Sequence, residues 1–348
     1  MNNLKDINDI QDLRVCFISD IPENVKDYLS QGLKKLSNVT IEFPEDRSKE
    51  NLYKVIREAK VLIGWRPSLD LLEHAKNMSV FINPGAGIHH LLKDFREINK
   101  KRNVILINGH GNSYFVAQHT VALLLTFMNM IIPHHEWMKE GKWRTGDKDA
   151  ASIPLRFKNV GLLGYGAINK KVHKMLSGFN ITFSVLRRDW SKEKNSIPTE
   201  IQKYNFEQLH DFLREINILI IAVPVTKFTN NMIDEDELKL LGTDGILINV
   251  SRGEIVNQEA LYKALKNQII FGAAIDVWYD YHPESDDQGR KFPFKFPFHK
   301  LKNIILSPHR GYSPFSDLLR WNEVIENIKR IAHNRTDLIN VVDLENGY

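Results

Sequence analysis

Short runs of β-branched and aliphatic residues alternate with polar–apolar helical segments along most of the chain, and this alternation constrains the fold more than any other feature. Val15-Cys16-Phe17-Ile18, Val39-Thr40-Ile41, Val61-Leu62-Ile63, Val80-Phe81-Ile82 and Val104-Ile105-Leu106-Ile107 recur in this way. The rhythm predicts parallel strands with helices on the faces of the sheet. At Phe115 the pattern changes: the segment to Met130 is apolar nearly all round, which predicts a long helix between layers or domains, stopped by Pro133. The alternation restarts with Val160 to Leu163 and continues through Ile181 to Leu186, Ile218 to Val223, Gly245 to Val250, Phe271 to Asp276 and Ile304 to Leu306. About six strands complete a doubly wound sheet.

The amphipathic stretch from Ser316 to about Asn334 follows the end of that second sheet. It is expected to return to the first domain, giving domains of 1–112 with 313–348 and of 113–312, with two crossings that hinge over a cleft. Between Ser285 and His299 lie Phe292, Phe294, Phe296 and Phe298 with two prolines, which predict an irregular loop that covers the cleft, contacts a subunit or simply packs. Composition narrows the partners. One cysteine, Cys16, allows no internal disulfide, and the first six residues lack the basic segment and apolar core of a leader, so a cytoplasmic location is expected. The apolar stretch 121–132 is about half of what a bilayer crossing needs, so no membrane span is expected. Forty-seven basic and 43 acidic residues give a net charge of +4 with no basic stripe, which favours small ligands over nucleic acid. The pairs His89-His90 and His134-His135 lack a carboxylate or cysteine to complete a metal site, and no metal is expected.

Gly164-Tyr165-Gly166-Ala167-Ile168-Asn169 directly follows a strand and opens a helix that Gly178 is placed to cap. In that context it reads as a dinucleotide-binding turn: Gly164 permits the bend, Gly166 lets backbone approach a pyrophosphate, and the helix N-terminus at Ala167 and Ile168 meets its charge. Asn169 replaces the third glycine and asks for wider helix–strand packing. About 20 residues on, where an NAD site places an acid, stand Arg187 and Arg188. Guanidinium groups suit a 2′-phosphate, which favours NADP over NAD; the alternative is two solvated arginines with Asp189 as a displaced ribose ligand.

Asn249-Val250-Ser251-Arg252-Gly253 follows one buried strand, Asp276-Val277-Trp278 ends another, and Ser307-Pro308-His309-Arg310-Gly311 ends the last. With Asn83-Pro84-Gly85-Ala86-Gly87, Val116-Ala117-Gln118-His119, Gly141-x-Trp143 and Val223-Pro224-x-Thr226 followed by Thr229, these motifs resemble, in order, the D-isomer-specific 2-hydroxyacid dehydrogenases. The resemblance runs from about Val61 to Arg320. It implies an α/β protein of two domains: a Rossmann doubly wound parallel sheet and a discontinuous flavodoxin-like substrate domain. It further implies that Arg252 binds the carboxylate and carbonyl of a 2-oxo acid and that His309 is the acid–base residue. The turn Gly85-Ala86-Gly87 would offer N–H groups to the carboxylate, Asp276 would hold the nicotinamide carboxamide, and Val223, Pro224, Thr229, Val250, Ser251 and Gly311 would line the dinucleotide. Arg66, at a strand end, sits where some members contact an anionic substrate tail. A homodimer through the second domain is a family expectation.

The departures are as informative as the matches. Members that use a third catalytic residue carry Glu five places after the Asp matched by Asp276; here that place is Tyr281, followed by His282. Asp280 or Glu284 folding inward, or Tyr281 itself, are the alternatives for orienting His309. Gln118 and Asn257 replace a Glu and an Asp. The expected activity is NAD(P)H-dependent reduction of a small 2-oxo acid to a D-2-hydroxy acid. Its rivals are a formate- or phosphite-type dehydrogenase and a non-catalytic dinucleotide-sensing interaction protein.

Overall fold

A computed structural model describes residues 12–144, 150–191 and 196–348; the stretch read for a leader and part of the loop after Trp143 lie outside the described residues. The chain divides into two compact units, Met1–Asn112 with Pro314–Tyr348, and Ser113–Ser313.

In the first unit, β1 (Leu13–Phe17), β2 (Val39–Glu42), β3 (Val61–Ile63), β4 (Val80–Asn83) and β5 (Ile105–Asn108) form a sheet of order β2-β1-β3-β4-β5. Every pairing is parallel, with Val15 opposite Val61 and Val61 opposite Val80. Strands β3 and β4 are buried at every position because α1 (Glu23–Leu33), α2 (Lys49–Ile56), α3 (Leu69–His74) and α4 (His89–Asn99) supply the layers that a two-faced parallel sheet requires. Strand order reverses beside β1, so the carboxyl ends of β1 and β3, and with them Arg66, flank the switch point.

The second unit begins with α5 (Ser113–Met128) and α6 (Ile131–Lys139). The buried residues of α5, among them Ala117, Thr120, Leu124 and Met128, lie on one face, while Tyr114, Gln118 and Ala122 on the opposite face are exposed, so a helix that is apolar nearly all round is not buried all round. The helix ends earlier than the sequence suggested: Met130 takes a left-handed conformation at φ 51°, and Pro133 lies in the first turn of α6, where its missing N–H costs no helical bond. Among the described residues no single helix is long and apolar enough to cross a membrane; α5 and α6 reach that length only as a pair bent by 62°.

The second sheet contains β6 (Asn159–Leu163), β7 (Thr182–Leu186), β8 (Gln202–Tyr204), β9 (Ile218–Ile221), β10 (Ile246–Asn249), β11 (Gly272–Ile275) and β12 (Ile304–Leu306), in the order β12-β11-β10-β9-β6-β7-β8. This is one strand more than expected. Gln202-Lys203-Tyr204 escaped the sequence pattern because an edge strand buries little; only Tyr204 faces the core. The helices α7 (Ala167–Leu176), α8 (Leu209–Glu215), α9 (Glu235–Leu241) and α10 (Gln258–Lys266) complete the layers. The C-cap of α7 is Ser177 rather than Gly178, in ordinary right-handed geometry. The aromatic loop packs on its own unit: Phe298 is fully buried, Phe294 lies 4.9 Å from Trp278, and Phe296 stacks on Tyr262 at 5.3 Å. Three of the four rings are thereby core-facing, which removes the need for a cleft or subunit to cover them.

The chain after Ser313 belongs to the first unit, where α11 (Asn322–Ala332) lies on α1. Tyr28 donates to Asn322 Oδ1 at 2.6 Å. A Cβ added at Gly32 would stand 2.5 Å from Ile325 Cδ1, so the small residue sets the helix spacing. Past α11, Val342 N–H bonds Leu106 O at 2.8 Å and Val341 bridges Ile107, which covers the outer edge of β5. Replacing a helical glycine gains about 1 kcal/mol in propensity, whereas overpacking costs about 1–3 kcal/mol. Gly32→Leu is therefore expected to lower the urea midpoint of unfolding; an unchanged or higher midpoint would show that α1 and α11 do not pack this closely.

Candidate active site

At the switch point of the second sheet, between β6 and β9, the turn after β6 has the geometry its glycines require. Gly164 sits at φ +84°, and a Cβ there would lie 2.8 Å from Ala222 O. Gly166 has nothing within 4 Å of an added Cβ, and the N–H groups of Ala167 and Ile168 at the start of α7 find no acceptor among the described residues. An open cradle of unpaired donors at a helix N-terminus fits a pyrophosphate. Asn169, in place of the third glycine, points into the turn. Its side chain is fully buried, and its amide nitrogen lies 2.7 Å from Gly164 O, 3.2 Å from Leu163 O and 3.4 Å from Ile220 O. The amide laces the turn to the strand ends. Behind it, Tyr165 bonds the fully buried His173, whose other nitrogen meets Thr199 Oγ1 at 2.8 Å. Burial pushes the His173 pKa down to about 4, so this support stays neutral at ordinary pH.

Arg187 and Arg188 follow β7. The Arg187 guanidinium lies 6.0 Å over the Trp190 ring, and Arg188 is exposed. Asp189 accepts from the Ser191 backbone and hydroxyl at 2.9 and 2.6 Å. After β9, Val223 is half-buried and Pro224 exposed, while Thr229 turns inward: its hydroxyl donates to Pro224 O at 2.6 Å and accepts from Thr226 N–H at 2.8 Å. That fastens the turn instead of reaching outward. Asn257, in place of an acid, caps α10 and donates to Asp234.

Arg252 follows β10 through Val250 and Ser251, which are buried. The buried Asn249 side chain braces this turn, accepting from Ser251 N–H at 3.1 Å and donating to Arg252 O at 2.8 Å. The half-buried Arg252 guanidinium bonds the carbonyl of Ser251 at 2.6 Å and has no acidic partner among the described residues. A cation in that state is ready for an anion. From β12 the chain passes through Ser307 and Pro308 to His309, which is held left-handed at φ +57°. Its Nδ1 lies 3.0 Å from the Tyr281 hydroxyl, and its Nε2 has no protein partner among the described residues. Burial lowers the His309 pKa; the Asp276 charge pulls it up and Arg252 pushes it down. Arg252 likewise acts on Tyr281, whose own pKa burial raises. Of the residues offered as substitutes for the missing Glu, only Tyr281 reaches the imidazole. Asp280 is exposed and accepts from His282 N–H at 2.9 Å, and His282 is exposed beside it.

Asp276 is 3% exposed and does not stand free for a ligand. Its Oδ1 accepts from Ser307 Oγ at 2.5 Å and Arg310 N–H at 2.7 Å, and its Oδ2 from Gly311 N–H at 2.9 Å. His119 of α5 reaches Ser307 Oγ at 2.9 Å and Asp276 Oδ1 at 3.3 Å. Among the described residues no cluster of three His, Cys, Asp or Glu could hold a metal ion.

In the first unit, the ends of β4 and β5 carry the paired Asn83 and Asn108. Asn83 Nδ2 bonds Gly85 O at 2.6 Å and Gly87 O at 3.2 Å, and Asn108 Nδ2 bonds Ala86 O at 3.0 Å. With the carbonyls tied down, the N–H groups of Gly85, Ala86 and Gly87 find no acceptor among the described residues. Consecutive unpaired amides form an anion-binding nest. Arg66 is exposed, with no acidic partner among the described residues.

Sequence reasoning missed the asparagine braces and His119. One signal was available: β4, β5 and β10 all end in an asparagine after an apolar run, and all three are nearly buried.

Residues 121–311 match the D-isomer specific 2-hydroxyacid dehydrogenase NAD-binding domain. The chain is 29% identical over 307 residues to a glyoxylate reductase of Thermococcus gammatolerans, covering 85% of each protein, and 26% identical over 272 residues to a hydroxypyruvate reductase of Thermotoga maritima, covering 77% of this chain and 83% of that one. A D-isomer specific 2-hydroxyacid dehydrogenase of Xanthobacter autotrophicus, solved with NADPH and MES, shares the fold with a TM-score of 0.77 at 22% identity, over 97% of this chain and 100% of that chain. The protein belongs to the D-isomer-specific 2-hydroxyacid dehydrogenase family and is an NAD(P)-binding oxidoreductase.

Asn169→Gly, which restores the third glycine, is expected to destabilise the enzyme by about 1–3 kcal/mol, chiefly from strand-end carbonyls left unpaired and only a few tenths from helix propensity. Thermal unfolding measures this; a stabilised variant would mean the amide is not a brace.

Proposed function

We propose that the enzyme reduces a small 2-oxo acid of the size of glyoxylate or hydroxypyruvate to the D-2-hydroxy acid, with NADPH preferred to NADH. The observation that carries this reading is the pairing of His309 with Tyr281 through Nδ1, at 3.0 Å, beside an Arg252 that has no acidic partner among the described residues. NADPH, when bound, supplies the hydride that goes to C2 of the oxo acid. Arg252 holds the carboxylate and polarises the carbonyl; in the first unit, the turn of Gly85, Ala86 and Gly87 is by itself a nest of amides suited to an anion. His309 Nε2–H gives its proton to the carbonyl oxygen as negative charge develops there. Nδ1–H stays on the Tyr281 oxygen before and after transfer, so the ring keeps one orientation throughout. Arg66 is the candidate for a second anionic group on a longer substrate. The position of Arg187 and Arg188, and the turning of Asp189 to Ser191, favour the 2′-phosphate. Exposed Ile131, Ile132, Met138 and Trp143 support a homodimer through this unit, which light scattering tests directly.

A phenol orients imidazole but, unlike Glu, adds no negative charge to hold its proton. Reduction uses the imidazolium, whose pKa burial lowers, so kcat/KM for glyoxylate is expected to fall tenfold per pH unit above a midpoint below 6.5, the ordinary histidine value. In Tyr281→Glu that midpoint should move upward. Initial rates of NADPH oxidation from pH 5 to 9 measure both, and a wild-type midpoint above the ordinary value would overturn the assignment. Arg252→Ala and His309→Gln should each lose about 10²-fold or more in turnover. Arg187→Ala with Arg188→Ala should erode the preference for NADPH, read as the ratio of kcat/KM for the two cofactors. Tight NADPH binding without turnover of any acid would favour the dinucleotide-sensing alternative.

A further inference from the structure

His119 is unused by the chemistry above, yet it faces the most heavily bonded carboxylate of the second unit. The Ser307 hydroxyl has one proton, and its 2.5 Å contact with Asp276 Oδ1 places that proton there. His119 Nε2 must therefore be the donor to Ser307 Oγ at 2.9 Å, with Asp276 Oδ1 also at 3.3 Å. The carboxylate in turn holds the backbone N–H groups of Arg310 and Gly311, the two residues directly after His309. Trp278 Nε1–H fixes Ser307 O at 2.8 Å from the other side. The loop lies so close that a Cβ on Gly311 would be 2.8 Å from Asp276 Oδ2 and 3.5 Å from the His119 ring. His309 itself sits at φ +57°, a conformation that non-glycine residues adopt at a cost and keep only where the surroundings impose it.

We propose that His119 is a positioning residue for the reduction: by bonding Ser307 and Asp276 it fixes residues 307–311 and holds the backbone of His309, while Tyr281 holds its ring. The two tethers are complementary. Tyr281 belongs to the loop after β11 and is half exposed, so it orients the ring only if the backbone already stands in place. Burial alone would raise the Asp276 pKa; the bonds from His119, Ser307, Gly311 and Arg310 outweigh it and keep the carboxyl below its usual range, so the anchor stays ionised wherever the enzyme works. The charged and titratable groups around His309 are Asp276 at the end of β11, Arg252 and Glu254 after β10, Tyr281 in the loop after β11, Arg310 and Tyr312 on its own loop, and His119 on α5. Loosening the loop lets the His309 ring leave Tyr281 and regain water, which relieves the burial that lowers its pKa.

The inference rests on His309 as the proton donor, and its test has a reading that does not depend on turnover. His119→Leu, which removes the donor, and His119→Gln, whose amide nitrogen returns one near the Nε2 position, are compared with the wild-type full-length enzyme. Their thermal unfolding and NADPH dissociation constants are measured alongside. The imidazole resonance of His309, assigned by its loss in His309→Gln, is titrated by NMR with no substrate present. In His119→Leu its midpoint should rise toward the ordinary histidine value, kcat for glyoxylate should fall at least tenfold with the pH limb moving the same way, and NADPH affinity should stay within about threefold. His119→Gln should recover most of kcat and the wild-type midpoint. An unmoved His309 titration in His119→Leu, or a Gln variant as impaired as Leu, would overturn the proposal. A loss shared equally with NADPH affinity, or explained by unfolding, would also overturn it by making His119 a structural or cofactor-side residue. Absence of turnover in the wild type would sink the proposed substrate class while the NMR titration still decides the tether.

Discussion

Strands that end inside a parallel sheet leave backbone groups without ladder partners, and the site of this enzyme depends on how those groups are satisfied. Parallel sheets carry their ligands at these carboxyl ends, where the chain must turn sharply, stay buried and still present donors outward. Here buried amide side chains do the work. Asn83 and Asn108 hold the carbonyls of the 85–87 turn, Asn169 laces the glycine turn to β6 and β9, and Asn249 braces the turn that carries Arg252. An amide suits the task because its NH2 group donates to several carbonyls without the desolvation cost of a charge. Each brace takes up inward-facing groups and leaves the outward N–H groups unpaired, which is the condition for binding an anion.

The one buried anion at these strand ends, Asp276, is held by a different arrangement. Its carboxylate gathers two backbone amides, a hydroxyl and an imidazole, so its charge is spent on fixing a loop. That matters because the residue five places on is Tyr281 and not an acid. His309 thus meets a neutral phenol and is influenced only at longer range by a carboxylate already committed elsewhere. Burial lowers the His309 pKa, and the charge of Asp276 does not cancel that effect.

Much of this was legible in the sequence because the relevant signals are local. Alternating apolar runs gave both sheets, and the glycine turn between strand and helix gave its own geometry, since only glycine takes the φ found at Gly164 without strain. The misreadings share a cause. The edge strand Gln202–Tyr204 buries too little to leave a periodic signature, and Pro133 opened a helix where it was expected to close one; for the phenylalanine loop the sequence left packing open as one alternative because Trp278 and Tyr262, the partners of Phe294 and Phe296, are distant in sequence.

The sequence by itself determined the order of strands and helices, the return of the last helix to the first unit, and the residue types at the strand ends, since these follow from hydrophobic period, turn chemistry and the right-handedness of parallel crossovers. Only the tertiary structure decided which of Asp280, Tyr281 and Glu284 meets His309, that Thr229 faces inward, and that His119 reaches Asp276 across more than 150 positions. Those outcomes depend on side-chain directions and on distances of a few ångströms between separate loops. A residue's type sets what it can bond, but only packing sets what stands within reach.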